Sequence, residues 1–229
     1  MRFALALLAT TACGRIFGLE EPTRRDDGVD DGGVVDSSVD DGGGDIGSDA
    51  MWTIQAFRRG VDGYMGSIDT YLNAVSGTAN HSGSIDLRTR NTEYYALLMF
   101  DGVISTAAIP MGADIQLARL QLTSQDAGCS ARLVEVAVAW DDTTTFNTFG
   151  PAVGVQAGDL GAVVVAALPT VAADIVLDVT SSLQNWANDP AANHGWMIEP
   201  LATGSDCKIR SGDVGNLNER PRLEVIYTN

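Results

Sequence analysis

Apolar and polar residues alternate along much of the second half of the chain. Ile115 and Leu117 alternate with Gln116 and Ala118, and Leu120 and Leu122 then take the other parity against Arg119 and Gln121. A period of two marks a half-buried β-strand, because successive side chains point to opposite faces. The change of parity predicts a bulge near Ala118–Arg119, or two strands meeting there. From Leu133 to Trp140, Val134, Val136 and Val138 alternate against Glu135, Ala137 and Ala139. Ala162–Ala167 is a further run, ended by Pro169, and Leu223, Val225 and Tyr227 alternate against Glu224 and Ile226. These runs are short and separated by Gly, Asp, Asn and Thr clusters. That pattern predicts an all-β protein, an antiparallel β-sandwich of jelly-roll type.

One stretch breaks the pattern. Ile175–Leu177 reads as a strand, after which Val179, Leu183 and Trp186 fall at i, i+4 and i+7 on one helical face. Ser181 with Gln184 three residues on reads as a capping box. Asn188-Asp189-Pro190 stops the helix, since proline cannot continue it. One short helix is therefore expected near residues 180–188. Gly195-Trp196-Met197-Ile198-Glu199-Pro200 returns as a strand.

The motifs in this stretch, Asp178-Val179-Thr180 with Leu183-Gln184 and Trp186, then Asn193 and Gly195-Trp196 with Ile198 and Pro200, resemble the DNRLRE domain family. Further segments follow in the same order as in that family. They are Gly60-Val61-Asp62-Gly63-Tyr64, Asp69-Thr70-Tyr71, Leu98-Met99-Phe100-Asp101 and Ile109-Pro110-Met111-Gly112-Ala113. Trp140-Asp141-Asp142 comes next, then Thr145-Phe146-Asn147, where Phe146 replaces a tryptophan, and finally Arg220-Pro221-Arg222-Leu223. The resemblance covers about Met51 to Asn229. It implies a sandwich related to the carbohydrate-binding modules found beside polysaccharide-degrading enzymes.

The chain begins differently. Arg2, the apolar run Phe3–Ala9 and then Thr11-Ala12-Cys13-Gly14 read as a secretion signal, the run being far too short to cross a bilayer. Small residues directly before Cys13 resemble a bacterial lipoprotein box, with Thr10 where that box usually has leucine. On this reading Cys13 becomes a lipidated N-terminus; the other reading is an ordinary signal peptide or a leftover thiol. Gly14 rather than aspartate fits, by analogy with lipoprotein sorting, delivery to the outer membrane or cell surface. Asp26–Asp49 carries no basic residue and no aromatic. Such a segment cannot bury enough surface to offset its ordering entropy, so a disordered acidic tether is expected. Its aspartates lack the spacing of a calcium loop. The organisation is thus residues 1–13 as signal, 14–50 as tether and 51–229 as the sandwich.

The net charge of −16 extends into the sandwich, where acidic residues outnumber basic ones. This argues against nucleic acid, whose phosphates call for a basic field. With Cys13 assigned to lipid, two of the three cysteines remain. In an oxidising compartment Cys129 and Cys207 would form a disulfide worth about 4 kcal/mol by the chain-entropy argument, an upper figure because strain is ignored. The alternative is two separate buried thiols. Catalysis finds little support: only His81 and His194 are present, without a Gly-x-Ser-x-Gly elbow or a His-Glu-x-x-His helix. The most visible carboxylate pair, Asp141-Asp142, is adjacent on a strand end and points to opposite faces.

Binding fits the composition better. Arginine meets carboxylates bidentately, so Arg58-Arg59 and Arg88-x-Arg90 are the candidate contacts for an acidic polysaccharide. Arg88 and Arg90 would share a strand face. Tyr64, in a Gly-rich turn, is the exposed-aromatic candidate, whereas Trp140, Trp186 and Trp196 sit on apolar faces and are expected in the core. No cofactor is expected beyond a structural calcium ion, with Asp62, Asp69 and Asp101 as candidate ligands, although hydrogen bonding in turns explains the same aspartates. The reading is an exported, non-catalytic, monomeric module, anchored to a membrane by lipid, whose partner is a polysaccharide or surface glycan. The alternatives are a cell-surface adhesion domain with a protein partner, and a polysaccharide-cleaving enzyme.

Overall fold

The computed structural model describes residues 51–127, 130–201 and 206–229. The signal, Cys13, the acidic tether and Cys129 lie outside the described residues. In chain order the strands are β1 (Thr53–Arg58), β2 (Ser67–Asn73), β3 (Asp86–Arg90), β4 (Tyr94–Phe100), β5 (Asp114–Thr123) and β6 (Ala131–Val136). There follow β7 (Leu160–Val165), β8 (Asp174–Asp178), the helix α1 (Thr180–Asn188), β9 (Trp196–Pro200), β10 (Asp206–Arg210) and β11 (Arg222–Thr228). Every strand pairing is antiparallel.

Two sheets face each other. One has the order β1-β11-β5-β8; the other runs β10-β3-β4-β9-β6-β7, with β2 also paired to β4. Leaving aside β2, β3 and β10 and counting the remaining strands in sequence, the sheets read 1-8-3-6 and 2-7-4-5. That is the order of a jelly roll, as the alternation predicts. β2 lies along one edge of β4. Its other edge is shared by β9 at Ala96–Leu98 and by β3 at Tyr94.

The inner core lies between the sheets and is built from alternate residues. Leu223, Val225 and Tyr227 of β11 enter it with Ala118, Leu120 and Leu122 of β5 and Ala96, Leu98 and Phe100 of β4. The change of parity in β5 is a bulge, but it lies earlier than Ala118–Arg119. Ile226 pairs with Leu117 and Tyr227 with Ile115, so Gln116 is the extra residue. Ala118 is fully buried; as the smallest side chain of the run, it passes in sequence for an outward one.

A second core covers the outer face of the larger sheet. Leu97 and Met99 of β4, Met197 of β9 and Val136 of β6 have the opposite parity to their inner-core neighbours and pack with Trp140 and Phe149. The connection from β6 to β7 therefore folds over this face. β4 reads as an unbroken apolar run, Tyr94–Phe100, because it is buried on both sides. The same arrangement corrects the expected strand Leu133–Trp140. The strand ends at Val136, and Trp140 lies in the covering loop, where its indole N–H donates to the His194 carbonyl at 2.7 Å. Trp140, Trp186 and Trp196 are all buried, as expected.

The helix occupies Thr180–Asn188, with Val179, Leu183 and Trp186 buried. Its start differs from the capping box expected at Ser181 and Gln184. Asp178 accepts instead from the Thr180 backbone N–H at 2.9 Å and hydroxyl at 2.6 Å, and these bonds hold its carboxyl below the usual range. Gln184 is free to bond elsewhere: its side-chain oxygen accepts from Ile115 N–H at 2.9 Å, and its amide donates to the Ala113 carbonyl at 3.2 Å. The helix is thereby fastened to the start of β5. Trp186 meets Trp196 with ring centroids 4.7 Å apart. The Trp196 indole donates to Ser182, which donates to Glu135 at 2.6 Å. No helix among the described residues is long and apolar enough to cross a membrane.

Candidate functional site

Among the described residues, one broad sheet face is left uncovered, that of β1-β11-β5-β8. Inward Phe57, Leu223, Leu120 and Leu177 fix the parity, and the residues between them point to solvent. The register then arranges the outward side chains in rows. Ile54, Ile226 and Leu117 form one row; Ala56, Glu224, Arg119 and Asp178 form the next; Arg58, Arg222, Gln121 and Val176 form a third. Trp52, just before β1, is 68% exposed and Ile54 is 67% exposed. Trp52 escapes the sequence reading because its alternation with Ile54 looks like that of a buried face.

The five predicted binding residues are dispersed by this fold. Arg59 donates to Asp213 at 2.9 Å. Arg88 and Arg90 share the partly exposed face of β3, as expected. However, Arg88 bonds Asp206 at 2.8 Å with its guanidinium 4.5 Å from the centre of the Tyr94 ring, and Arg90 pairs with Glu93 at 3.2 Å. Exposed pairs of this kind contribute little stability, but they occupy the groups a ligand would use. Tyr64 is not an exposed platform. It is half-buried, its ring 5.2 Å from Phe57 and 6.3 Å from Phe100, and its hydroxyl donates to the Asp101 carbonyl at 3.0 Å. Burial first, and then the nearby Asp101 carboxylate, push that hydroxyl's pKa up.

Arg58 differs from the other three arginines. Among the described residues it enters no ion pair; its Nε, like that of Arg88, is buried without a hydrogen-bond partner. Directly across the strand pair stands Arg222, which bonds Glu224 and, at 3.2 Å, Gln121. Like charges directly opposite one another are unfavourable. Burial first and Arg222 second lower the Arg58 pKa, while Asp174 acts against them. A surface cavity of about 240 Å³, lined by Ala56, Arg58, Val61, Asp62 and Arg222, opens beside the two guanidiniums. Asp62 puts one negative charge in the lining and Glu224 already pairs with Arg222, so of the two guanidiniums it is that of Arg58 from which an incoming anion would accept. The sequence placed Arg222 in a strand but not beside Arg58, because register is set by pairing rather than by either strand alone.

The candidate calcium ligands do not assemble as a trio. Asp62 lies exposed in a turn with φ 49°, and Asp101 is exposed. Asp69 is buried in β2 at 3% exposure. Among the described residues no three His, Cys, Asp or Glu side chains gather as a metal site. Asp69 instead lines a separate cavity of about 360 Å³ with Arg59, Ser67, Asp142 and Asp213. Cys207 is buried on β10 within the inner core, whereas its expected partner is Cys129, outside the described residues. No family model and no curated protein sequence matches this chain.

Proposed function

We propose that residues 51–229 form a non-catalytic carbohydrate-binding module for an acidic polysaccharide, exported and held at a membrane surface through Cys13. The observation that supports this reading best is the cross-strand pair Arg58–Arg222 on the uncovered sheet. A uronate carboxylate or a sulfate ester supplies the ion-pair partner that Arg58 lacks among the described residues, while Arg222 keeps Glu224. Gln121 continues the same row and offers amide donors and acceptors to sugar hydroxyls, and the exposed Trp52 offers a flat apolar face to a sugar ring. The resemblance to the DNRLRE family points in the same direction. In the same reading Cys207 pairs with Cys129. Ser124–Asp126 runs beside β10, the strand that carries Cys207, with Gln125 N–H on the Lys208 carbonyl at 2.9 Å and Lys208 N–H on Asp126 at 3.0 Å.

The test is affinity electrophoresis and calorimetry on polyuronate, sulfated and neutral glycans. Binding to a charged glycan that weakens with added salt is expected. Arg58→Ala should weaken it about tenfold or more, the loss of a charge-assisted hydrogen bond. Equal retention of neutral glycans, or unchanged affinity in the variant, would refute the reading.

A second reading, adhesion to a protein, is favoured by the apolar row Ile54–Ile226–Leu117 beside Trp52. It predicts that Ile54→Glu abolishes capture of a protein partner while glycan retention is absent from the start.

A further inference from the structure

Three residues that line the cavity around Asp69 each carry a buried oxygen left unanswered among the described residues. Asp69 Oδ2 accepts from Gly212 N–H at 2.8 Å, but Oδ1 is buried without a partner. Asp213 Oδ1 accepts from Arg59 at 2.9 Å, while its Oδ2 is likewise buried and unpartnered. The Ser67 hydroxyl, two residues before Asp69 on the same face of β2, is the third. All three residues line the same cavity, and Ser67 and Asp69 are each 3% exposed. Buried acceptors are normally answered by a donor, an ordered water or an ion, so three orphans on residues that line one cavity point to a common partner.

We propose that this cavity is a binding site for a hard divalent cation of the calcium class, held by Asp69, Asp213 and Ser67. The donors are all oxygen, with no imidazole or thiolate, which selects calcium or magnesium over zinc. The charge agrees: Asp69, Asp142 and Asp213 against Arg59 leave the lining two units negative when ionised. Two carboxylates and a hydroxyl do not fill a calcium shell of six to eight oxygens. The ion therefore keeps several waters, and the remainder of the roughly 360 Å³ cavity accommodates them. Bound there, the ion joins β2 to the turn between β10 and β11, which supplies Gly212 and Asp213. This site is distinct from the Arg58–Arg222 face and stands whether or not that face binds sugar.

The experiment uses the full chain, stripped with chelator and titrated with calcium chloride alone by calorimetry and thermal unfolding. Saturable binding is expected with Kd between about 10⁻⁴ and 10⁻³ M, the range of extracellular calcium modules, with a Tm that rises with calcium concentration. Asp69→Asn and Asp213→Asn should each weaken calcium at least tenfold, and Ser67→Ala about threefold, as first-order losses of a ligand. Should an aspartate variant fail to fold, Ser67→Ala and the wild-type titration decide. No heat and no Tm change up to about 10 mM calcium would overturn the site. Calcium binding unaffected by all three substitutions would overturn it equally.

Discussion

At the residue scale, Asp69 has an ionisation that the fold resists. Burial first, and the neighbouring Asp213 carboxylate, raise its pKa to about 7; the Gly212 N–H, Arg59 and Arg220 act in the other direction. A carboxyl raised in the folded state holds its proton between about pH 4 and pH 7, where the unfolded chain has lost it. In chelator, therefore, this group's contribution to stability is complete below about pH 4 and declines as the pH rises through 7. Urea midpoints at several pH values should show that slope, and Asp69→Asn should flatten it; a parallel profile in the variant would assign the slope elsewhere. At Gly195 the constraint is steric. Its φ of 68° is left-handed, and a Cβ there would meet the Leu98 carbonyl and Met99. Gly195→Ala should lose more than about 1 kcal/mol of unfolding free energy in a denaturant titration, through strain and collision with β4 together. Nothing in the sequence separates Gly195 from the glycines of ordinary turns except the tryptophan that follows it.

At the element scale, the helix is the best test of how the inner core is closed. Trp186 is 2% exposed and packs on Trp196, with Leu183 beside it. Trp186→Ala should cost about 3–5 kcal/mol, measured by equilibrium unfolding, and should quench the signal of tertiary packing near Trp196 in near-ultraviolet dichroism. The helix was legible in the sequence because three apolar residues fell on one face and a proline marked its end. β5 and β11 were legible because apolar and polar residues alternate along most of their length, and β8 and β9 because they are short apolar runs bounded by turn and helix signals. β4 was harder to place, since burial on both faces erases the alternation on which such reading depends. The cap was misread for a different reason. Ser181 has the right spacing to Gln184, but Asp178 is closer to the first free N–H groups and Gln184 is drawn to β5. Of the candidate site, the sequence marked Arg58 and Asp69 as chemically notable; their partners, Arg222 and Asp213, come from strands or turns more than a hundred residues away.

At the scale of the whole molecule, the two cores divide the work. The inner one joins the sheets, and the outer one covers one face of the larger sheet, so among the described residues the four-stranded sheet is the broad face left to solvent. Closing Cys129 to Cys207 would span a long stretch of chain, and its removal by Cys207→Ala should cost about 4 kcal/mol at most. Intact mass under non-reducing conditions, with and without alkylation, tests the bond directly, and an alkylated native protein would disprove it. β1 is an edge strand, joined on one side to β11 by pairs from Thr53↔Tyr227 to Arg58↔Arg222. A pull entering before Thr53 and resisted by a hold on Arg222 of β11 runs along β1 and must cross to the neighbouring strand. It loads the rungs together, in shear. The same pull directed away from the sheet would unzip them one after another, so how firmly this module can hold a load depends on the direction from which it is drawn.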